Sequence, residues 1–218
     1  MPVGSCSRTE LAPGEPRLSR PRGPVLPPGR RLFVAVPIPG PVRDAVTALV
    51  DSVRAEANPE VRDVRWVRLD GLHLTIRFLG PTEEEGLADV AAAVDRAAAS
   101  MGGFDVAIGG AGAFPSVARP RALWLGVTDG AAELDAAART LDDRLADVGW
   151  ARDDRPYRAH LTLARSDGVR AGPEVARRLI AAASTFVASF RAGSLILFES
   201  VSGGGPARYE PIHEARLG

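Results

Sequence analysis

The tripeptide His-Leu-Thr occurs twice, at His73-Leu74-Thr75 and His160-Leu161-Thr162, and takes up two of the three histidines in the chain. Each copy lies in a run that alternates polar and apolar residues. The runs are Leu72-His73-Leu74-Thr75-Ile76-Arg77-Phe78-Leu79-Gly80 and Ala159-His160-Leu161-Thr162-Leu163-Ala164-Arg165. A period of two marks a strand, on which residues two apart share a face. Each run therefore sets a His and a Thr side by side on one face, with Leu74/Ile76 or Leu161/Leu163 on the other. Any fold for this chain must accommodate two such strands, 87 residues apart.

The surrounding segments repeat an order of strand, helix, triplet strand, helix, strand. Arg31–Pro37 is β-rich, and Val42, Val46, Leu49, Val50 and Val53 then recur at helical spacing to about residue 57. Val64–Val67 is a short strand. Beyond the first triplet, Pro81-Thr82-Glu83-Glu84-Glu85 is expected to open a helix with Thr82 as its N-cap. Phe104–Ile108 reads as a strand, Gly109–Pro115 as a glycine-rich bend and Arg121–Val127 as a buried strand. The order restarts with a helix over 131–148, the second triplet and a helix over 173–183. Strands at 185–191, 194–200 and 207–212 close the chain. Strands joined by short turns and interleaved with helices predict an α+β fold. It has two similar lobes, each with an antiparallel or mixed sheet and two helices. Residues 1–29, rich in Pro, Gly, Arg and Ser, are expected to be a disordered extension to a single domain over 30–218.

Composition excludes several classes. With 218 residues, 45% hydrophobic and 25% charged, the chain reads as an ordinary soluble globular protein. The net charge is zero, so nothing at whole-chain level demands nucleic acid. Every basic residue is arginine, whose planar fork suits phosphate, although compositional bias also gives this pattern. A lone Cys6 rules out an internal disulfide and a cysteine zinc site, so a cytoplasmic home is the expectation. There is no apolar run of about 18 residues and no secretory h-region, so no membrane association is expected.

One His-x-Thr on a strand is commonplace; two of three histidines in the same pattern point to a shared site. A metal is disfavoured because catalytic zinc takes three protein ligands and neither triplet has a further ligand at suitable spacing. No Gly-x-Ser-x-Gly elbow occurs, and Gly203-Gly204-Gly205 lacks the Lys-Ser/Thr of a P-loop. His213 lies outside the pattern and is expected at the surface. What remains is paired acid–base catalysis, one imidazole accepting a proton while the other donates one. An in-line displacement at a phosphodiester needs both roles. Thr75 and Thr162 could donate to the phosphate oxygens. Arg77, four residues after His73, shares its face on an ideal strand. Arg165, five after His160, reaches the site only if its strand bends or ends near Ala164.

These residues resemble the 2H phosphoesterase superfamily, and most closely its RNA 2′,3′-cyclic phosphodiesterase branch, also called 2′-5′ RNA ligases. The likeness spans about residues 31–212. It includes Arg31-Leu32-Phe33-Val34-Ala35, Trp66-Val67, both triplet runs, Phe114-Pro115, Arg121–Val127, Arg155-Pro156-Tyr157-Arg158, Glu199-Ser200-Val201 and Ala207–Glu210. The resemblance implies a bilobal fold with a pseudo-twofold around a central cleft, to which each lobe gives one motif strand. It implies hydrolysis of an RNA 2′,3′-cyclic phosphate to a 2′-phosphomonoester with no metal and no other cofactor. His73 would be the proton donor and His160 the proton acceptor, with Thr75, Thr162 and Arg165 on the phosphate; strand parity adds Arg77 to that set. The expected partner is an RNA with a cyclic-phosphate end, tRNA fragments among the candidates, acted on by a monomer. Reversal with a 5′-hydroxyl would join RNA ends. Trp66 and Phe114 are candidates to stack on a base, whereas Phe78, at odd spacing from His73, is expected in the core. The alternatives are a phosphodiesterase for small cyclic nucleotides or ADP-ribose cyclic phosphate, and a non-catalytic RNA-end-binding module.

Overall fold

In the computed structural model, residues 29–56, 64–166, 172–203 and 206–218 are described; the N-terminal extension lies almost wholly outside them. The elements in chain order are β1 (Arg30–Pro37), α1 (Gly40–Glu56), β2 (Val64–Trp66), β3 (His73–Thr82) and α2 (Leu87–Ala99). There follow β4 (Phe104–Phe114), β5 (Ala122–Asp129), α3 (Ala131–Ala146), β6 (His160–Ser166) and α4 (Gly172–Ala182). The chain closes with β7 (Val187–Ala192), β8 (Ser194–Val201) and β9 (Arg208–Arg216). One sheet has the order β3-β1-β8-β9 and the other β2-β6-β5-β4-β7, with antiparallel pairing throughout. Helices α2 and α3 pack on the first sheet, α1 and α4 on the second. The α+β class and the two helices per sheet are as the sequence led us to expect.

The lobes are not the two halves of the sequence, however. β1 belongs to the first sheet, but α1 and β2 belong to the second; α3 follows a strand of the second sheet and covers the first. Periodicity finds a helix without saying which sheet its apolar stripe will cover. The consequence is functional. The chain crosses between sheets through 67–72 and again through 147–159, and each crossing delivers a histidine as the first residue of its strand.

Burial follows the sequence pattern closely. Val42, Val46, Leu49, Val50 and Val53 form one buried stripe on α1. Leu32, Val34 and Val36 of β1 join the central core with Leu74, Ile76, Leu161 and Leu163 from the motif strands. Each such side chain contributes about 1.5–3 kcal/mol by leaving water.

Two local expectations give way. Thr82 does not cap α2. It is a buried residue of β3 whose hydroxyl donates to the Gly80 carbonyl at 3.3 Å, and α2 begins only at Leu87, after a 3-10 turn over Glu84–Gly86. Pairing of Arg30 with Thr82 carries the strand past Pro81, which an edge strand tolerates. The glycine-rich stretch Gly109–Phe114 is likewise strand rather than bend. β4 runs through it with a bulge between Gly109 and Ala111, where Gly110 has φ +64. Among the described residues no helix is long and apolar enough to cross a membrane.

Candidate active site

The two motif strands carry the same irregularity in the same place. On β3, Val34 faces Arg77 and Ala35 faces Thr75, so Ile76 is the extra residue of a bulge. On β6, Leu123 faces Ala164 and Trp124 faces Thr162, so Leu163 is the extra residue. Each is the third residue after its histidine, and each is buried. A bulge sets two residues against one and reverses the alternation beyond it. The fifth residue after each histidine therefore joins the histidine's face, and the fourth leaves it.

The fifth residues are Phe78 and Arg165, which line one cavity of about 1080 Å³ with His73, Thr75, His160 and Thr162. Arg165 thus arrives by the bend its position required. Phe78 is not in the core: the bulge puts it on the cavity wall, 56% exposed. The fourth residues are Ala164, which is buried, and Arg77. Arg77 does not line this cavity. Its guanidinium donates to Asp142 of α3 at 2.8 Å, to Asp153 at 3.2 Å, and to the carbonyls of Phe78 at 3.1 Å and Ala151 at 2.5 Å. Its side chain is only 12% exposed. The bulge turns it from the shared cavity toward α3, where carboxylates take up its charge.

Both imidazoles are held alike. His73 Nδ1 lies 2.8 Å from the Gly71 carbonyl, and His160 Nδ1 lies 2.7 Å from the Arg158 carbonyl. A carbonyl only accepts, so Nδ1 carries the proton and Nε2 is left to titrate. The acceptors belong to the crossing segments, so the crossings fix both tautomers. Aromatic rings hold the imidazoles in place. Phe33 lies 4.7 Å from His73, with Tyr209 edge-on at 4.8 Å; Phe114 lies edge-on to His160 at 5.2 Å, with Trp124 at 6.5 Å. Gly112 makes room for the Trp124 indole, which a Cβ there would overlap. Tyr157 ties the site together from the second crossing, donating its hydroxyl to the Thr75 carbonyl at 3.1 Å.

The electrostatics are one-sided. Arg31, Arg65, Arg68, Arg155 and Arg165 line the cavity, and among the described residues no carboxylate does. Arg68 and Arg155 are paired with Asp70 and Asp153, while Arg165 has no carboxylate partner among the described residues. Such a lining concentrates anions. Asp153, bonded chiefly to Arg155, is held at about 2, well below the usual carboxylate range. Burial raises the Tyr209 phenol, keeping it a neutral donor. Burial also lowers both histidines from the ordinary 6.5, partly offset by their carbonyl bonds, and the Arg165 charge lowers His160 further.

A stability consequence follows from those shifts. Below pH 6.5 the unfolded chain protonates both histidines while the folded protein resists it, so the unfolded state binds more protons. Stability is expected to hold above pH 7 and to fall as pH drops through the depressed folded values. Urea denaturation between pH 7.5 and 5 checks this. His73→Gln should flatten the slope, and an equal slope in that variant contradicts the assignment.

Sequence reasoning does not single out Phe33, Phe198 and Tyr209 around His73, or the arginines of this cavity other than Arg165. The signal for Arg65 is visible only in the β2–β6 pairing, where it stands opposite Arg165. Trp66 lines the cavity, with the Arg54 guanidinium 5.0 Å from its ring centre. His213 is half-buried on β9, with Nε2 2.7 Å from Asp95, and does not line the cavity. Among the described residues, no three His, Cys, Asp or Glu side chains are grouped to hold a metal ion.

Two antiparallel sheets that bring paired His-x-Thr strands to one arginine-lined cleft define a two-histidine α+β class. The chain matches the profile of the 2′-5′ RNA ligase superfamily over residues 41–204, and it belongs to that family. It is 34% identical over 146 residues to an RNA 2′,3′-cyclic phosphodiesterase of Archaeoglobus fulgidus, covering 67% of this chain and 77% of the relative. A Methanothermobacter thermautotrophicus protein of the same name is 30% identical over 171 residues, covering 78% and 89%. The crystal structure of the Thermus thermophilus protein TT0787 superposes with a TM-score of 0.68 at 26% identity, over 86% of this chain and 97% of that one.

Proposed function

We propose that the protein is a hydrolase that opens RNA 2′,3′-cyclic phosphodiester ends to 2′-phosphomonoesters by metal-independent catalysis with two histidines. The observation that carries this is one cavity lined by both imidazoles, each with its Nδ1–H bonded to a backbone carbonyl and its Nε2 left to exchange protons. The archaeal relatives are named RNA 2′,3′-cyclic phosphodiesterases, which supports the substrate bond of this reading.

In this reading His160 takes the proton of the attacking water, the bond from phosphorus to O3′ breaks, and His73 protonates O3′. The Arg165 charge, which opposes protonation of His160, suits it to the role of base. Burial leaves His73 short of protons in the free protein. The arriving phosphate anion counters that by favouring its charged form. Thr75, Thr162 and Arg165 hold the non-bridging oxygens, and Phe78 and Trp66 offer ring surface to bases of a single strand. Arg77 has no place on the phosphate in this reading; it fastens β3 to α3 and to the second crossing. A 5′-hydroxyl in place of water gives 2′-5′ joining by the same proton transfers.

The test is turnover of a cyclic-phosphate oligonucleotide with and without EDTA, beside a cyclic mononucleotide and ADP-ribose cyclic phosphate. We expect the oligonucleotide to have the highest kcat/KM and EDTA to have no effect. A higher kcat/KM on ADP-ribose cyclic phosphate favours the small-molecule alternative, and activity lost to EDTA and restored by zinc defeats metal independence.

A further inference from the structure

A second cavity, of about 1110 Å³, adjoins the first and shares Thr75, Phe78, Arg155, His160 and Arg165 with it. The two differ in what else they touch. His160 lines the second cavity, whereas His73 and Thr162 do not. Its separate walls come from Phe114-Pro115, from Arg121 ahead of β5, and from α3. Among the described residues three carboxylates line it, and all are engaged: Asp142 and Asp153 by Arg77, Asp153 also by Arg155, and Asp135 by Arg139. Arg121, Arg158 and Arg165 are left without a carboxylate partner among the described residues. An aromatic and proline wall beside uncommitted arginines suits the bases and phosphates of a single strand.

In-line displacement decides which strand. The nucleophile approaches phosphorus opposite the leaving O3′, hence from the side of the base and away from the acid. A cavity that opens on His160 and not on His73 is on the nucleophile's side. We propose that this second cavity binds the 5′-hydroxyl end of a second RNA strand, the acceptor for 2′-5′ joining. The inference rests on the two-histidine reaction proposed above. The 5′-oxygen bonds to phosphorus as its proton passes to His160. The bond from phosphorus to O3′ breaks, and O3′ takes a proton from His73. The phosphate stays on O2′, and no further reactant is needed.

Arg121 and Arg139, like Arg77 and Arg158, line the second cavity and not the first, and the two lie on different segments. The full-length Arg121→Glu/Arg139→Glu variant is compared with wild type in three reactions: hydrolysis of a cyclic-phosphate mononucleotide, hydrolysis of a cyclic-phosphate oligonucleotide, and joining of that oligonucleotide to a 5′-hydroxyl oligonucleotide. Both hydrolyses should stay within about 2-fold of wild type, while joining falls about 10-fold with a shallower salt dependence. The Arg121→Lys/Arg139→Lys variant, which keeps the charge, should join at close to the wild-type rate. Unchanged joining in the glutamate variant overturns the proposal. So does a parallel loss of oligonucleotide hydrolysis, which assigns the cavity to the donor strand. A wild-type protein that hydrolyses but does not join at saturating acceptor overturns this inference alone. A wild-type protein that does neither defeats the parent reading and this inference with it.

Discussion

Replacing His73 or His160 by alanine is expected to lower kcat for opening a 2′,3′-cyclic phosphate by about 10²–10⁴-fold, the usual worth of a positioned acid or base. The double variant should be little worse than either single one, because groups that act in one proton relay are not additive. The two substitutions should leave different pH signatures. Wild type should show a bell in kcat/KM. Without His160 the rise on the acidic side disappears, since that limb is the base losing its proton. Without His73 the fall on the basic side disappears, since that limb is the acid losing its proton. His73 is packed against Phe33 and Tyr209, so its removal also loosens an aromatic cluster. His73→Gln keeps more of that packing and separates lost chemistry from lost order. Wild-type rates in a folded variant of either histidine would sink the mechanism.

The second large effect is a contrast between the two arginines that follow the triplets. Arg165→Ala should cut kcat/KM by about 10²-fold, as expected for a cation held against developing charge, with little change in stability because the side chain is exposed. Arg77→Ala should do the reverse. It leaves Asp142 and Asp153 half-buried without their shared cation, at a cost of about 3 kcal/mol, while the folded fraction keeps its turnover within a few-fold. Denaturation and initial rates on both variants give the answer. An Arg77 variant that keeps full stability and loses turnover would put that guanidinium on the phosphate after all.

That contrast also shows where sequence reading stops. Alternation around both triplets yields the strands, the buried Leu74, Ile76, Leu161 and Leu163, and the pairing of each His with a Thr. Alternation cannot see a bulge. Ile76 and Leu163 satisfy the pattern as core residues, and nothing in their identity says that the ladder skips them. Strand parity therefore puts Arg77 and Phe78 on each other's faces, and brings Arg165 to the site only by supposing a bend. The register with β1 and β5 reveals the skip, and register is a property of partners distant in sequence. The interleaved lobes are hidden for the same reason. The stripe on α1 announces a helix, but the sheet it covers depends on a crossing that no local pattern records. Arg31, Arg65, Arg68 and Arg155 line the cavity for reasons of topology, in a chain where arginine is everywhere.

The crossings explain why two bulged strands make one site. Each crossing ends by offering a carbonyl, Gly71 or Arg158, to the first side chain of the strand that follows. The second is fastened to β3 by Arg77 and Tyr157 before it reaches His160. The two imidazoles are thus set by the same backbone that joins the lobes, each held through Nδ1 with its Nε2 free of that carbonyl bond.

Phosphorus NMR of a 2′,3′-cyclic-phosphate oligonucleotide turned over in EDTA tests the central claim most directly. The account requires a single product resonance, that of the 2′-phosphomonoester, formed by wild type and lost in both His73→Gln and His160→Ala. A 3′-phosphomonoester, a mixture of isomers, or the same product from either histidine variant at the wild-type rate would contradict it.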